Sequence, residues 1–173
     1  MKYIVDFEGF SLNCTFVIKE FVLQSLDFNQ KKYFLLNSPS FNFNNLRRKD
    51  RKSVNFCEKN LHLIRWRTRG ANFAELRDFL NQTLKADDTV YIKGEEKVKV
   101  FCRQLNPVCL VRDINNLLSY AEVSKDWIIP ARKLLSSREN SCPLYFHKSN
   151  PHCALIKTEI FSQMLTKVLG KNE

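Results

Sequence analysis

The chain has 173 residues, a length typical of one domain, and 44% of them are hydrophobic, including 14 Phe. This composition supplies enough apolar surface for a core and excludes a disordered chain. Four Gly and five Pro exclude a collagen-like sequence, and no apolar run approaches the roughly 18 residues that a membrane span needs. The formal net charge of +10 favours partners with negative charge, and the acidic residues near the amino terminus argue against a signal peptide. We therefore expect a single domain over residues 1–173 that is intracellular (cytoplasmic or nuclear) and has no membrane partner.

The beginning of the chain is rich in the apolar and aromatic residues that are typical of strands. Residues 2–7 predict a buried strand before Gly9 breaks the pattern. Residues 14–27 predict a second strand and residues 33–37 a third, and a short polar turn separates these two. Strands joined by a short turn are most simply antiparallel, so a three-stranded meander is expected.

The middle of the chain alternates between helical and strand patterns. Asn72, with Glu75 three residues later, predicts a capping box at the start of one helix. The predicted elements are, in chain order, a helix over 53–63 after a basic run, a helix over 72–84, a strand within 86–94, a helix over 95–105 and a strand over 108–113.

The last part of the chain predicts short helices within 114–140, broken at Pro130, and a final helix from His152 to Leu169. Strands reached through right-handed helical crossovers lie parallel to the first strand. The element order therefore predicts an α/β fold with a ribonuclease H-like mixed five-stranded sheet, three antiparallel strands and then two parallel ones, flanked by helices. In such a sheet the site gathers at the carboxyl end of the first strand, where Asp6 and Glu8 lie.

Positive charge is concentrated in residues 31–69, where eleven basic side chains stand against two acidic ones, an excess of nine out of the total of ten. A concentrated positive charge attracts the phosphate backbone of nucleic acids. The alternative interpretations of this segment are a solvated basic helix face and a surface that binds an acidic protein. Residues 65–69 place an aromatic ring among guanidinium groups, which suits the stacking of single-stranded bases, although Trp66 is equally a candidate core residue. The candidate nucleic-acid-binding residues are Arg47, Arg48, Lys49, Arg51, Lys52, Arg65, Trp66, Arg67 and Arg69.

Six Cys in an intracellular chain favour buried thiols or metal ligands over disulfides. Cys142 and Cys153 enclose two of the three histidines, His147 and His152, and thiolate and imidazole are the ligands that zinc prefers. The other four lie among apolar neighbours and are predicted core residues: Cys14, Cys57, Cys102 and Cys109.

The sequence VDFEGF resembles the first motif of the DEDDh 3′–5′ exonucleases, and HCALIKTEIFSQML near the carboxyl terminus resembles their third motif. The resemblance implies two-metal phosphoryl chemistry with Mg²⁺ or Mn²⁺, in which Asp6 and Glu8 hold metal and His152 assists the attacking water. The chain departs from the family at Val98 and Lys157, where the family has metal-holding Asp residues. A cation at the second of these positions would repel a divalent ion.

Three further acids are candidates to replace the missing ones. Asp87 and Asp88 precede the fourth predicted strand, and Asp113 ends the fifth. Each also suits an ordinary role in a turn or at a strand end, which is the alternative interpretation.

The chain also resembles the Maelstrom domain, which shares the DEDDh fold, has lost its acids and binds zinc through a Glu-Cys-His-Cys set. The resemblance implies a structural Zn²⁺ held by Glu8, Cys142, His147 and Cys153, with His152 as the alternative to His147. Four ligands of this kind close a tetrahedral structural site that would tie the first strand to the last helix.

Two functions are therefore expected. The first is a nucleic-acid-binding pseudo-nuclease related to transposons or silencing, with single-stranded RNA favoured over DNA and with a structural zinc. The alternative is an active metal-dependent 3′–5′ exonuclease or RNA nuclease that uses Asp6 and Glu8. A protein-interaction domain of a mobile element or a silencing pathway is a third class, which only the resemblance suggests.

Overall fold

The structure is a computed structural model that describes residues 1–13, 15–40, 42–117 and 152–169. Within these residues the strands are β1 (Lys2–Leu12), β2 (Thr15–Ser25), β3 (Lys31–Leu35), β4 (Thr89–Ile92) and β5 (Leu110–Asp113). The α-helices of the same residues are α1 (Arg48–Asn60), α2 (Phe73–Thr83), α3 (Glu95–Leu105) and α4 (Ala154–Leu169). Short 3₁₀ turns cover Phe43–Asn45 and Ile114–Asn116. The helices predicted after residue 117, together with Cys14, Cys142 and His147, lie outside the described residues.

The five strands form one mixed sheet in the order β3-β2-β1-β4-β5. The β1–β2 and β2–β3 pairs are antiparallel, whereas the β1–β4 and β4–β5 pairs are parallel. The chain reaches β4 through α1 and α2 and reaches β5 through α3, because parallel neighbours need a crossover connection. The predicted α/β class and the mixed sheet of three antiparallel strands followed by parallel ones are confirmed.

β1 is longer than the sequence pattern predicts because a bulge lets it continue past Gly9. Its pairing with β2 shifts register between Glu8 and Gly9 and then continues as far as Leu12 opposite Thr15. A Cβ atom at Gly9 would lie 1.9 Å from the carbonyl oxygen of Val17, so only glycine permits this approach of the two strands. The prediction that Gly9 ends the first strand is therefore wrong.

The bulge leaves Asp6 and Glu8 inside β1, but beyond the end of the neighbouring strand. β4 pairs with β1 only as far as Ile92 opposite Val5. Alternation along β1 directs Ile4, Asp6 and Glu8 to one face of the sheet, and Ile4 packs in the core that α4 covers. The two carboxylates are thus placed past the carboxyl end of β4 and toward the start of α4.

Helices cover both faces of the sheet. On one face, α4 packs against the strands through Ile4, Val22, Ile160, Phe161 and Leu165. On the other face, α2 and α3 pack through Val5, Phe21, Leu76, Leu80 and Phe101. A third cluster fastens α1 to the far end of the β1–β2 hairpin through Phe10, Leu12, Val17, Val54 and Trp66.

Two helix predictions are confirmed with their details. α3 spans the predicted Glu95–Leu105, and α2 opens with the predicted capping box, in which the backbone N–H of Asn72 donates to Glu75 Oε1 at 3.1 Å. The final helix begins at Ala154, two residues later than predicted. None of the described helices combines the length and the apolar composition that crossing a membrane requires.

The basic run that precedes the first predicted helix is itself helical. α1 begins at Arg48 rather than at Ser53 and ends at Asn60. Arg and Lys are good helix formers, and Asp50 and Val54 give the first turns a buried side, so the helix extends toward the amino terminus.

Candidate functional site: a lysine–carboxylate cluster and a basic surface

Asp6 and Glu8 meet two lysines from distant parts of the chain. Asp6 is only 1% exposed, and Glu8 is largely covered. Lys97 comes from the first turn of α3 and Lys157 from the first turn of α4. We call Asp6, Glu8, Lys97 and Lys157 the lysine–carboxylate cluster.

Lys97 bridges both carboxylates. Its Nζ lies 2.5 Å from Asp6 Oδ1 and 3.0 Å from Glu8 Oε1, and it donates to the carbonyl oxygen of Phe7 at 2.6 Å. The same ammonium lies 5.2 Å from the centre of the Phe7 ring, within cation–π range. β1 therefore supplies most of the environment of this lysine.

Lys157 approaches the same carboxylates from α4. Its Nζ lies 3.0 Å from Asp6 Oδ2 and also donates to Glu8 Oε1. Two ammonium groups thus face two carboxylates, so the charges of the cluster cancel.

The charges of the cluster are strongly coupled. Burial alone would raise the pKa of Glu8, but the attraction of Lys157 and Lys97 outweighs it and lowers the pKa to about 2. Burial would likewise lower the pKa of Lys157, yet Asp6 and Glu8 raise it above its ordinary value. Glu8 and Lys157 are therefore held as ions at neutral pH.

His152 lies just before α4, close enough to the cluster for its charges to act on the imidazole. Burial lowers the pKa of His152, and repulsion from Lys157 lowers it further, against a smaller attraction from Glu8. At neutral pH the imidazole is therefore uncharged, which is the form that accepts a proton or ligates a metal.

The zinc set that the Maelstrom resemblance implies is only partly visible, because Cys142 and His147 lie outside the described residues. Cys153 is fully buried, and its Sγ donates to Glu20 Oε1 at 3.5 Å. In this arrangement both lysines contact the Oε1 oxygen of Glu8, so a zinc ion at that oxygen would have to displace them. Among the described residues no three His, Cys, Asp or Glu side chains come together as a metal site.

The three acids considered as replacements have other surroundings. Asp88 is buried and accepts from the backbone N–H of Lys85 at 2.7 Å, and Asp113 accepts from the N–H of Gly94 at 2.9 Å. Asp87 is exposed in the turn before β4. These contacts are those of turn and strand-end residues.

The predicted nucleic-acid-binding residues are exposed, with the exceptions of the buried Trp66 and the half-buried Arg51. They lie on α1 and on the loop that follows it, and we call this set the basic surface. Arg51 is half-buried, and the exposed members are Arg47, Arg48, Lys49, Lys52, Arg65, Arg67 and Arg69.

The two acidic side chains of the same stretch are not exposed among these cations. Asp50 is buried, and its Oδ1 accepts from the backbone N–H of Asn13 at 3.2 Å. Glu58 is half-buried, and its Oε1 accepts from the backbone N–H of Trp66. Both carboxylates therefore bind backbone N–H groups, whereas the basic side chains are exposed to solvent.

Trp66 belongs to the core. Its side chain is 4% exposed and packs against Phe10 and Phe43, with ring centres 5.4 Å and 6.3 Å away. Of the two interpretations of Trp66, the core residue is the one that the structure shows, and its ring is not accessible to a stacked base.

His62 has a structural role. It is buried just after α1, its Nε2 lies 3.0 Å from the carbonyl oxygen of Gly9, and its Nδ1 accepts from the N–H of Ile64. His62 therefore ties the loop after α1 to the bulge of β1.

Lys19 is a buried charge that sequence reasoning missed. Its side chain is 0% exposed, and Nζ donates to Ser38 Oγ at 3.1 Å and to the carbonyl oxygens of Trp66 and Thr68 at 3.3 Å and 2.9 Å. Burial lowers its pKa to about 8. Lys19 holds the loop that presents three arginines of the basic surface, and the signal for it was a Lys-Glu pair enclosed by apolar strand residues.

Two further residues were missed for different reasons. Lys97 directly precedes Val98, the position where the exonuclease alignment lacks its Asp, so a search for replacement cations there would have found it. Glu20, buried on β2, accepts from the backbone N–H of Ala154 at 3.1 Å and caps α4. Nothing local to β2 signals a contact with a helix more than 130 residues away.

In comparisons with known proteins, no family model and no curated protein matches this chain.

Proposed function

We propose that this chain is a nucleic-acid-binding domain of the pseudo-nuclease kind, with single-stranded RNA favoured as its ligand. The observation that carries the proposal is the basic surface, whose cations are exposed while both acids of the stretch are bonded to backbone N–H groups. Such a surface attracts a polyphosphate chain and releases its counterions. RNA is favoured over DNA by the Maelstrom resemblance alone.

The lysine–carboxylate cluster supports binding without cleavage. Two-metal phosphoryl transfer needs carboxylates that hold divalent cations. Here the ammonium groups of Lys97 and Lys157 contact both oxygens of Asp6 and the Oε1 oxygen of Glu8. A divalent ion would have to displace both lysines, so the alternative of a nuclease using Asp6, Glu8 and His152 has weaker support.

A structural zinc remains part of the proposal, with Cys142, His147 and Cys153 as ligands and His152 as the alternative imidazole. The buried position of Cys153 next to α4 suits a structural thiolate, provided that the metal replaces its hydrogen bond to Glu20. Glu8 is better explained as a member of the lysine–carboxylate cluster.

Binding of a labelled single-stranded RNA, measured by fluorescence polarisation at 50 mM and 200 mM salt, tests the proposal. We expect the affinity to fall steeply with salt, because roughly one counterion is released per phosphate neutralised. Replacing Arg65, Arg67 and Arg69 together by Ala is expected to weaken binding at low salt and to reduce the salt slope. Arg77→Ala, an exposed arginine on α2, is the control and should bind as the native protein does.

Two results would contradict the proposal. An affinity that does not change between the two salt concentrations would exclude binding through phosphates. RNA shortened in the presence of Mg²⁺ or Mn²⁺, and left intact by Asp6→Ala, would establish the nuclease instead.

A further inference from the structure

α1 carries an exposed aromatic ring on the side that faces away from the core. Phe56 is 56% exposed, whereas Asp50 and Val54 of the same helix are buried. With 3.6 residues per turn, the side chains of Phe56 and Val54 point to opposite sides of the helix. A large apolar ring left in water at this position is not explained by packing.

Three lysines lie on the same side of the helix as this ring. Lys49, Lys52, Phe56 and Lys59 follow one another at spacings of three, four and three residues, which places them in one stripe along α1. All four side chains are exposed. Over ten residues the stripe is about 15 Å long.

We propose that this stripe is a binding site for a single strand, in which Phe56 stacks on a base and Lys49, Lys52 and Lys59 contact the phosphates on either side of it. The inference rests on the proposed nucleic-acid binding and adds the group that selects unpaired bases. A ring flanked by cations matches a strand that presents bases and phosphates alternately, whereas a duplex hides the faces of its bases. Trp66 was the aromatic candidate in the sequence, and Phe56 takes that role because it is the ring that solvent reaches.

The test compares Phe56→Ala with the native protein by fluorescence polarisation, using a labelled single-stranded RNA and the blunt duplex of the same sequence. Loss of one stacked base is expected to weaken single-strand binding by roughly 5- to 100-fold and to leave duplex binding and the salt slope unchanged. Phe56→Trp should retain the affinity, since any large aromatic face stacks.

Phe28→Ala is the matched control, because Phe28 is 66% exposed and lies in the turn after β2. That turn adjoins the first residue of β1 through the hydrogen bond from Lys2 N–H to Asp27, whereas Ser53 and Asp50 of α1 contact Ser11 and Asn13 at the other end of the strand. The control should bind as the native protein does.

The outcomes separate this inference from the proposed function. If the native protein binds RNA and Phe56→Ala binds it equally well, or if the variant loses single strand and duplex alike, the stacking site is wrong and the binding function stands. If the native protein binds no nucleic acid at low salt, both are wrong.

Discussion

The four side chains of the lysine–carboxylate cluster depend on one another for their charge. Each carboxylate is within ion-pair distance of both ammonium groups. Breaking a buried pair leaves an uncompensated charge, which costs more than the intact pair contributes. The cluster therefore fixes the start of α3 and the start of α4 against β1.

Because of the ion pairs between Glu8 and the two lysines, the stability of the protein is expected to fall at acid pH. The pKa of Glu8 is lowered from an ordinary 4.5 to about 2, so the unfolded chain binds the proton more readily than the folded protein. Ionised Glu8 contributes fully to the free energy of unfolding when the pH is above the pKa of Glu8 in the unfolded chain. This contribution, at most about 3 kcal/mol, is lost as the pH falls from about 4.5 toward 2.

Urea unfolding of the native protein and of Glu8→Gln, followed across this pH range, measures that contribution. The variant should be less stable at neutral pH and should lose less stability on acidification, because Gln does not titrate. Glu96→Gln changes an exposed residue of α3 and should follow the native protein. An equal loss of stability in all three proteins would show that the lysines do not hold Glu8 ionised.

At the scale of elements, a buried lysine on β2 organises the loop after α1. The ammonium of Lys19 donates hydrogen bonds to one hydroxyl and two backbone carbonyls. The loop that it holds presents Arg65, Arg67 and Arg69 to solvent. The geometry of the basic surface is thus set partly from inside the sheet.

Lys19→Met removes this support while keeping much of the side-chain volume. The change leaves the carbonyl oxygen of Thr68 without its lysine donor, whereas that of Trp66 still accepts from Ser38, so we expect a loss of about 1–3 kcal/mol in the free energy of unfolding. Hydrogen–deuterium exchange at the amides of residues 65–70 should become faster. Lys85→Met, at an exposed position, is the control for both measurements. Unchanged exchange in the Lys19 variant would mean that other contacts hold the loop.

At the scale of the whole molecule, α4 joins the end of the chain to its first strands. Glu20 caps the helix from β2, Lys157 binds the acids of β1, and the apolar side of α4 covers one face of the sheet. The proposed zinc would strengthen the same connection through Cys153.

Metal content of the purified protein, measured by mass spectrometry, tests the zinc. We expect one zinc per chain, lost in Cys142→Ser together with part of the thermal stability, since a structural zinc contributes to folding. Cys102→Ser should keep the metal, because this thiol of α3 is exposed, and the prediction that it lies in the core is wrong. A native protein without zinc that takes up magnesium or manganese through Asp6 and Glu8 would favour the nuclease.

Sequence patterns do not predict which of the two aromatic residues near the basic run is exposed. Trp66 and Phe56 both stand among basic neighbours, yet Trp66 is 4% exposed and Phe56 is 56% exposed. The difference arises because Phe10 and Phe43 cover the first ring, and nothing in the neighbouring sequence encodes that cover.

Sequence patterns alone predict the α/β class, the mixed sheet and the range of α3, because alternation and helical spacing are local properties that a short segment carries. The neutralisation of Asp6 and Glu8 by Lys97 and Lys157 and the continuation of β1 through a bulge are visible in the folded protein and not in the sequence. Those contacts join residues about 90 to 150 positions apart, and packing of whole elements sets them. The same packing turned the acids of α1 inward and left its lysines and Phe56 at the surface.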